Sequence, residues 1–242
     1  MIKYTGPVKR PERIRESEMR LDKCLATMGI GARSYVKELI RNGAVSVNRR
    51  ICRAPETPVT EADEILVNGE PLQHEDFEYY ILYKPAGYLS ACSDPRKPVV
   101  MELVPSKRTD LFPVGRLDFD TEGLLLITND GELNHRLLSP KYRVPKKYYA
   151  ELDADLPEDA AEKLSKPIVF RDFTSEPAVL EVIDPRHAYL TVTEGKYHEV
   201  KRLFHAIGCD VIYLRRETFG KLTLQGLEKG GIRKITKDEV EI

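Results

Sequence analysis

The feature that most constrains this chain is a polar loop bounded by two glycines that runs straight into four apolar residues. It reads Gly115-Arg116-Leu117-Asp118-Phe119-Asp120-Thr121-Glu122-Gly123, then Leu124-Leu125-Leu126-Ile127. A short unbroken apolar run after turn residues predicts a strand buried on both faces. A rigid sheet then holds the loop before it, which is where reactive groups tend to lie. Asp118, Asp120, Glu122 and Arg116 crowd into seven residues, and a carboxylate buried among them needs a cationic partner to stay ionised. On composition alone the segment is a polar turn ahead of a core strand.

The 242 residues are enough for one or two domains with a proper core. No apolar run approaches the roughly 18 residues that cross a bilayer. The N-terminus is charged and lacks an apolar core segment, which predicts no signal peptide and a cytoplasmic protein without membrane contact. Cys24, Cys52, Cys92 and Cys209 are scattered with no C-x-x-C spacing. That argues against a zinc site and for free thiols in a reducing compartment. The net charge of −1 hides an asymmetry: residues 1–50 carry 12 Lys/Arg against 5 Asp/Glu, a balance of +7, and the rest carries −8. A basic N-terminal portion on an acidic body points to a nucleic-acid-binding module.

Residues 1–18, with Lys3, Lys9, Arg10, Arg13 and Arg15, predict a flexible basic extension. Leu21, Cys24, Leu25 and Met28 recur at helical spacing up to Gly29, and Val36, Leu39 and Ile40 line a second helix ending at Gly43. Short strands are expected at Val45/Val47 and Ile65/Val67, closed by Asn68-Gly69. Residues 69–77 predict a linker, and Tyr79–Tyr83 a strand that opens the next domain. Asp130 is placed to cap a helix bearing Leu133, Leu137 and Leu138. Pro157 opens a short helix over 157–165. Strands follow around 179–183 and 189–193, then a helix with Val200, Leu203, Phe204 and Ile207 buried, a strand over 211–214, and a last short helix over 235–242.

Three stretches carry a resemblance. Gly115-Arg-Leu-Asp118-x-Asp-Thr-x-Gly123-Leu-Leu, Lys84-Pro85-Ala-Gly87 and Gly195-Lys196-Tyr197-His198-Glu199-Val200-Lys201-Arg202 together resemble the motifs of the pseudouridine synthases, specifically the ribosomal small-subunit type. Pro145-Lys146-Lys147-Tyr148 resembles the K-x-Y strand of that family. Arg20-Leu-Asp-Lys23, Gly31-Ala-Arg33-Ser and Leu39-Ile-x-x-Gly43-x-Val-x-Val-Asn48 resemble the S4 RNA-binding domain. Two departures stand out. Arg49 takes the place of the usual Gly after Asn48, which predicts a slightly different turn. Glu199 stands where Gln is more usual.

The resemblance implies an α+β chain: the extension 1–18, a small S4-like RNA-binding domain over 19–76, and a synthase domain over 77–242 on a mixed or antiparallel sheet. It implies that uridine in RNA is isomerised to pseudouridine with no cofactor and no metal, most specifically in small-subunit ribosomal RNA, with the large-subunit RNA as the alternative. Asp118 is then the catalytic aspartate. Lys201 holds it as the anion, and Tyr148 stacks on the uracil and can take the C5 proton. Tyr149 points to the opposite face by strand alternation. Asp120 and Glu122 are neighbours, not the nucleophile. Arg116 contacts a flanking phosphate or fills the gap left by the flipped base. Arg20, Lys23, Arg33, Lys37 and Arg202 are the RNA-binding candidates, mostly for phosphates. His198 and His205 are structural or RNA-facing. The expected partner is ribosomal RNA or an assembly intermediate, met by a monomer. Two other classes remain at this level: an S4-type assembly factor without catalysis, and a glycoside hydrolase using Asp118 and Asp120.

Overall fold

The strand expected from the apolar run, Glu122–Thr128, is buried along its whole length. Leu125 and Ile127 pack into one apolar cluster, Leu124 and Leu126 into a second. Side chains alternate across a strand, so four consecutive apolar residues feed two cores at once. The computed structural model describes residues 18–60, 62–72 and 77–240. The rest of the predicted extension and residues 73–76 of the predicted linker lie outside those residues.

The chain forms two compact units. The first takes the described residues up to Leu72 together with Ser106–Thr109, and the second takes the remainder. The short 106–109 excursion was not foreseen, because nothing in its composition separates it from the loop around it. In the first unit, β1 (Met19–Arg20) leads into helices α1 (Leu21–Thr27) and α2 (Arg33–Arg41). Strands β2 (Val45–Val47), β3 (Arg50–Ile51), β4 (Pro58–Val59), β5 (Ile65–Val67) and β6 (Glu70–Pro71) follow. The order β3-β2-β5-β6 makes a small antiparallel sheet. The predicted helical stripes close its core: Leu21, Cys24 and Leu25 meet Val36, Ile40, Val45, Val59 and Ile65. The β2–β3 turn is built on the Asn48-Arg49 departure. Asn48 and Arg49 both have positive φ, 49° and 65°, as a tight two-residue hairpin requires. Arg49 takes up the left-handed strain that a glycine would avoid.

The second unit runs β7 (Tyr79–Lys84), β8 (Phe112–Pro113), β9 (Glu122–Thr128), α3 (Gly131–Leu138), β10 (Lys146–Leu152) and α4 (Ala160–Leu164). It continues with β11 (Val179–Asp184), β12 (His187–Val192), α5 (Glu199–Ala206), β13 (Val211–Phe219), β14 (Leu222–Thr223), β15 (Ile232–Ile235) and α6 (Lys237–Val240). The main sheet has the order β11-β12-β10-β13-β9-β7-β15. Its strands pair antiparallel except β13 with β9, so the fold is α+β on a mixed sheet. The Asp130 cap is present: its carboxylate accepts from Leu133 N at 2.8 Å.

Four details differ from the sequence reading. β13 runs on to Phe219, five residues past the predicted end, because β9 and β10 flank it and bury Leu214, Arg216 and Phe219. The strand β15 was not predicted. Its two inner residues are charged, and only pairing with β7 defines it. Leu138 is exposed rather than part of the apolar face of α3. The helix predicted over 157–165 is regular only from Ala160 to Leu164.

The parallel joint of β9 and β13 explains Gly123. It pairs with Arg216 and has φ of +108°. A Cβ there would lie 2.3 Å from the Arg216 carbonyl oxygen. Backbone cannot yield as a side chain can, so the second glycine of the loop motif is fixed by a strand far along the chain.

Candidate active site

The loop between β8 and β9 is gripped from beneath by the end of β7 and the loop that follows it. The Lys84 side chain is buried, and its ammonium donates to the carbonyl oxygens of Pro85 (3.1 Å), Asp118 (3.0 Å) and Thr121 (2.8 Å). Burial pushes its pKa down to about 8. Gly87 N donates to Phe119 O at 2.8 Å. Ser90 Oγ both donates to Leu117 O and accepts from Leu117 N at 3.0 Å. The Lys-Pro-x-Gly stretch therefore packs beside the polar loop, and the lysine is the tether. An ammonium has three donors and no acceptor, so a turn rich in carbonyls is what it can hold.

The Asp118 carboxylate stands at the mouth of this loop with its side chain 29% exposed. Lys201 Nζ, from α5, lies 3.4 Å from Oδ2, and His198 Nε2 lies 3.5 Å from Oδ1. The predicted meeting of Asp118 and Lys201 across 83 positions is thus present in space. Lys201 is not dedicated to it, because Asp120 holds the ammonium more tightly, at 2.7 and 2.9 Å. Burial opposes the Asp120 anion most, but the Lys201 hydrogen bond and charge, with smaller help from its own backbone amide and His198, together hold that carboxyl below its usual value. Asp120 is 72% exposed. Glu122 points elsewhere: Lys229 lies 2.9 Å from its Oε2 and the Tyr213 hydroxyl donates at 2.8 Å.

Two cavities meet here. The smaller, about 70 Å³, is walled by Leu117, Tyr148, Val192, Val200 and Leu214, with Asp118 and Lys201 among its lining. The larger, about 620 Å³, shares Arg116, Asp118, Tyr148, Lys196 and His198 with it and adds Phe119, Lys146, Glu194, Tyr197 and Arg216. Tyr148 is buried on β10 and borders both, while Tyr149 packs on the other face against Tyr189, Tyr213 and His187. The predicted quartet Arg116, Asp118, Tyr148 and Lys201 is therefore brought together.

Other predicted residues sit differently. Arg202 is engaged within the protein: its guanidinium forks onto Asp172 and lies 4.6 Å from the ring centres of both Phe170 and Phe173. That geometry leaves it a structural tie rather than a free phosphate ligand. In the first unit, Arg20 and Arg33 each make a two-pronged contact with the buried Asp22, and Lys37 lies 3.8 Å from it. Burial would raise the Asp22 pKa, but the hydrogen bonds from Arg20 and Arg33 pull it down to about 2. Both arginines remain half-exposed, and Lys23 is exposed on α1.

The sequence reading missed His198 as a neighbour of Asp118. Its backbone is left-handed (φ 51°) at the start of α5, and its ring stacks on Tyr197 with centres 3.9 Å apart. It also missed Lys146 and Arg216. Strand alternation gave a signal for both, since Lys146 is two residues from Tyr148 and Arg216 two from Leu214. Among the described residues no group of His, Cys, Asp and Glu is placed to hold a metal ion. All four cysteines are free, and no described helix is long and apolar enough to cross a membrane.

Comparison with known proteins gives this site its context. Residues 78–206 match the family model of RNA pseudouridylate synthases, and residues 19–65 match that of the S4 domain. The chain is 38% identical to the ribosomal large subunit pseudouridine synthase B of Bacillus subtilis, over 92% of this chain and 94% of that one. It is 37% identical to the ribosomal small subunit pseudouridine synthase A of Escherichia coli, over 92% of this chain and 98% of that one. A crystal structure of a pseudouridylate synthase superposes with a TM-score of 0.64 at 34% identity, covering 92% of this chain and 98% of the other. The chain belongs to the pseudouridine synthases, in a subgroup that joins an S4 domain to the catalytic one.

Proposed function

We propose that the protein isomerises one uridine of ribosomal RNA to pseudouridine, in the small subunit, with Asp118 as the catalytic carboxylate. The juxtaposition of Asp118, Lys201 and Tyr148 around one small cavity carries the proposal. The reaction breaks a glycosidic N–C bond, turns the uracil and makes a C–C bond. It needs a nucleophilic anion at the sugar or base, a surface to hold the freed ring, and a base for the C5 proton. Asp118, held by the Lys201 and His198 side chains yet still open to the cavity, suits the first role. The ring of Tyr148, beside Leu214, suits the second, and its hydroxyl the third. A duplex or stacked uridine must flip to enter, at a cost of a few kcal/mol. Arg116 and Phe119, on the rim of the larger cavity, are placed to occupy the vacated stack.

The choice of small-subunit RNA rests on the His198 and Val200-Lys201-Arg202 pattern. Relatives that act on either subunit share similar identity with the chain. Tritium release from RNA labelled at uridine C5 tests the reaction, and an inert protein would leave only RNA binding. Mapping pseudouridines in a deletion strain tests the target: loss of one small-subunit site is expected, and loss of a large-subunit site would replace that assignment. On the S4 side, Lys23 with the half-exposed Arg20, Arg33 and Lys37 supplies phosphate contacts that position the RNA. Free RNA or an assembly intermediate, bound by a monomer, completes the proposal.

A further inference from the structure

The wall of the larger cavity carries charge that the proposed chemistry does not use. Arg216 is only 2% exposed. Its Nε donates to the Leu124 carbonyl at 2.7 Å, but its Nη2 is buried without any partner. Lys146 is also buried, with one hydrogen bond, to the Val144 carbonyl at 3.0 Å. The two cations lean on one ring: Arg216 lies 5.0 Å and Lys146 5.2 Å from the centre of Phe219. Neither has a carboxylate within ion-pairing distance among the described residues, and burial together with the nearby Arg216 charge pushes the Lys146 pKa down to about 8. Glu194, on the same cavity, has its Oε2 buried and unpartnered.

Glu194 and Glu199 stand close enough to offset part of the Lys146 charge, but burying two like charges with no carboxylate in contact still costs stability, and apolar residues of similar size would be cheaper for the fold. Such an arrangement makes physical sense when an outside group supplies the missing partner, because donors held in place need no reorganisation on binding. The two cavities say what that group is. The small one sets Leu117, Tyr148, Val192, Val200 and Leu214 beside the reacting groups, as a flat base requires. Lys146, Glu194 and Arg216 line only the large one, which opens from Tyr148 and Asp118. A uracil on Tyr148 would leave its ribose and phosphate there.

We propose that Arg216 and Lys146 bind a phosphodiester flanking the target uridine, and that Glu194 accepts a hydrogen bond from the ribose 2′-hydroxyl. The site is a backbone clamp at the base-binding cavity, and it rests on the proposed isomerisation. An arginine fork and a lysine are the usual donors to phosphate oxygens. A carboxylate acceptor for the 2′-hydroxyl would let the site distinguish RNA from DNA.

The test measures binding, not turnover, so its failure is separate from a failure of the isomerase reading, which tritium release decides. The full chain is titrated by NMR with uridine, uridine 3′,5′-bisphosphate and the 2′-deoxy form of that bisphosphate. The wild type should prefer the bisphosphate to uridine by about tenfold or more, the worth of one charge-assisted hydrogen bond. Lys146→Met should lose most of that preference, and Arg216→Lys should weaken it. If Arg216→Lys does not fold, Lys146→Met alone decides. The 2′-deoxy probe should bind less well to the wild type, with the penalty absent in Glu194→Gln. Equal wild-type affinity for uridine and its bisphosphate would overturn the clamp, and so would an undiminished preference in folded Lys146→Met. A 2′-deoxy penalty that survives in Glu194→Gln would remove Glu194 from it.

Discussion

Two aspartates, Asp22 and Asp118, show how one residue type is held in opposite ways. Asp22 is fully buried, with a side-chain exposure of 0%. Two arginines grip it and a lysine stands near, which leaves it no free lone pair to offer. Asp118 is partly open to a cavity, with one lysine and one histidine at 3.4 and 3.5 Å, beyond a tight hydrogen bond. The lysine is bound more closely by Asp120. A saturated carboxylate organises a fold, whereas a loosely held anion beside an empty space can react. The number of partners, and not proximity to a cation, separates the two settings.

Breaking Asp118 should have the largest effect. Asp118→Asn keeps the shape and removes the proposed nucleophile, so turnover in the tritium-release assay should fall by at least about 10³-fold with the melting temperature unchanged. Turnover at a normal rate would remove Asp118 from the chemistry.

Asp22→Asn should do the reverse: destabilise the protein by about 2 kcal/mol while leaving kcat at saturating RNA nearly intact. The same contrast appears in pH. The Asp22 pKa is about 2 when folded, below the roughly 3.9 of an unfolded aspartate. Its contribution is therefore fully present above about pH 4 and is lost as pH falls towards 2. That contribution is about 1–2 kcal/mol, given half-exposed and screened partners. Acid unfolding followed by circular dichroism should show a transition in that window that Asp22→Asn abolishes. An unchanged acid curve would mean that the arginines do not hold it.

Lys201→Met keeps the apolar stem and removes the charge, and should lower kcat by about ten- to a hundredfold with little change in RNA affinity. Lys201→Arg should retain more activity, since the charge persists in a different geometry. A loss confined to KM would make Lys201 an RNA ligand instead. Asp120→Asn should cost only a few-fold, because Asp120 is largely solvent-exposed and its removal leaves Lys201 to Asp118 alone. A loss as deep as that of Asp118→Asn would revive a two-carboxylate mechanism. The smallest effect is expected at the S4 surface: Lys23→Gln should flatten the salt dependence of RNA binding by a slope of roughly 0.7. No change in slope would take Lys23 out of the RNA contact set.

Much of this was legible in the residues. The apolar run 124–127 announced the central strand because β9 is buried on both faces, and a sequence records that as an absence of polar residues. The stripes on α1, α2 and α5 and the Asp130 cap were equally local, since periodicity and capping depend on neighbours a few positions away. Less legible was β15. Its sequence, Ile-Arg-Lys-Ile, becomes a strand only because β7 offers an edge. Exposure of Leu138 likewise depends on what packs over α3.

The candidate site divides in the same way. Motif residues named Asp118, Tyr148 and Lys201, and strand alternation separated Tyr148 from Tyr149. Only the tertiary structure decided how they are held. It made Lys84 the tether under the loop, gave Lys201 to two carboxylates, brought His198 to Asp118 and tied Arg202 to Asp172. It also put Arg216 and Lys146 over one phenylalanine ring, and set Gly123 against the Arg216 backbone. The physical reason is range. Periodicity and caps are written within one or two turns of chain, whereas burial, charge pairing and close backbone approach are set by segments that meet across about a hundred residues.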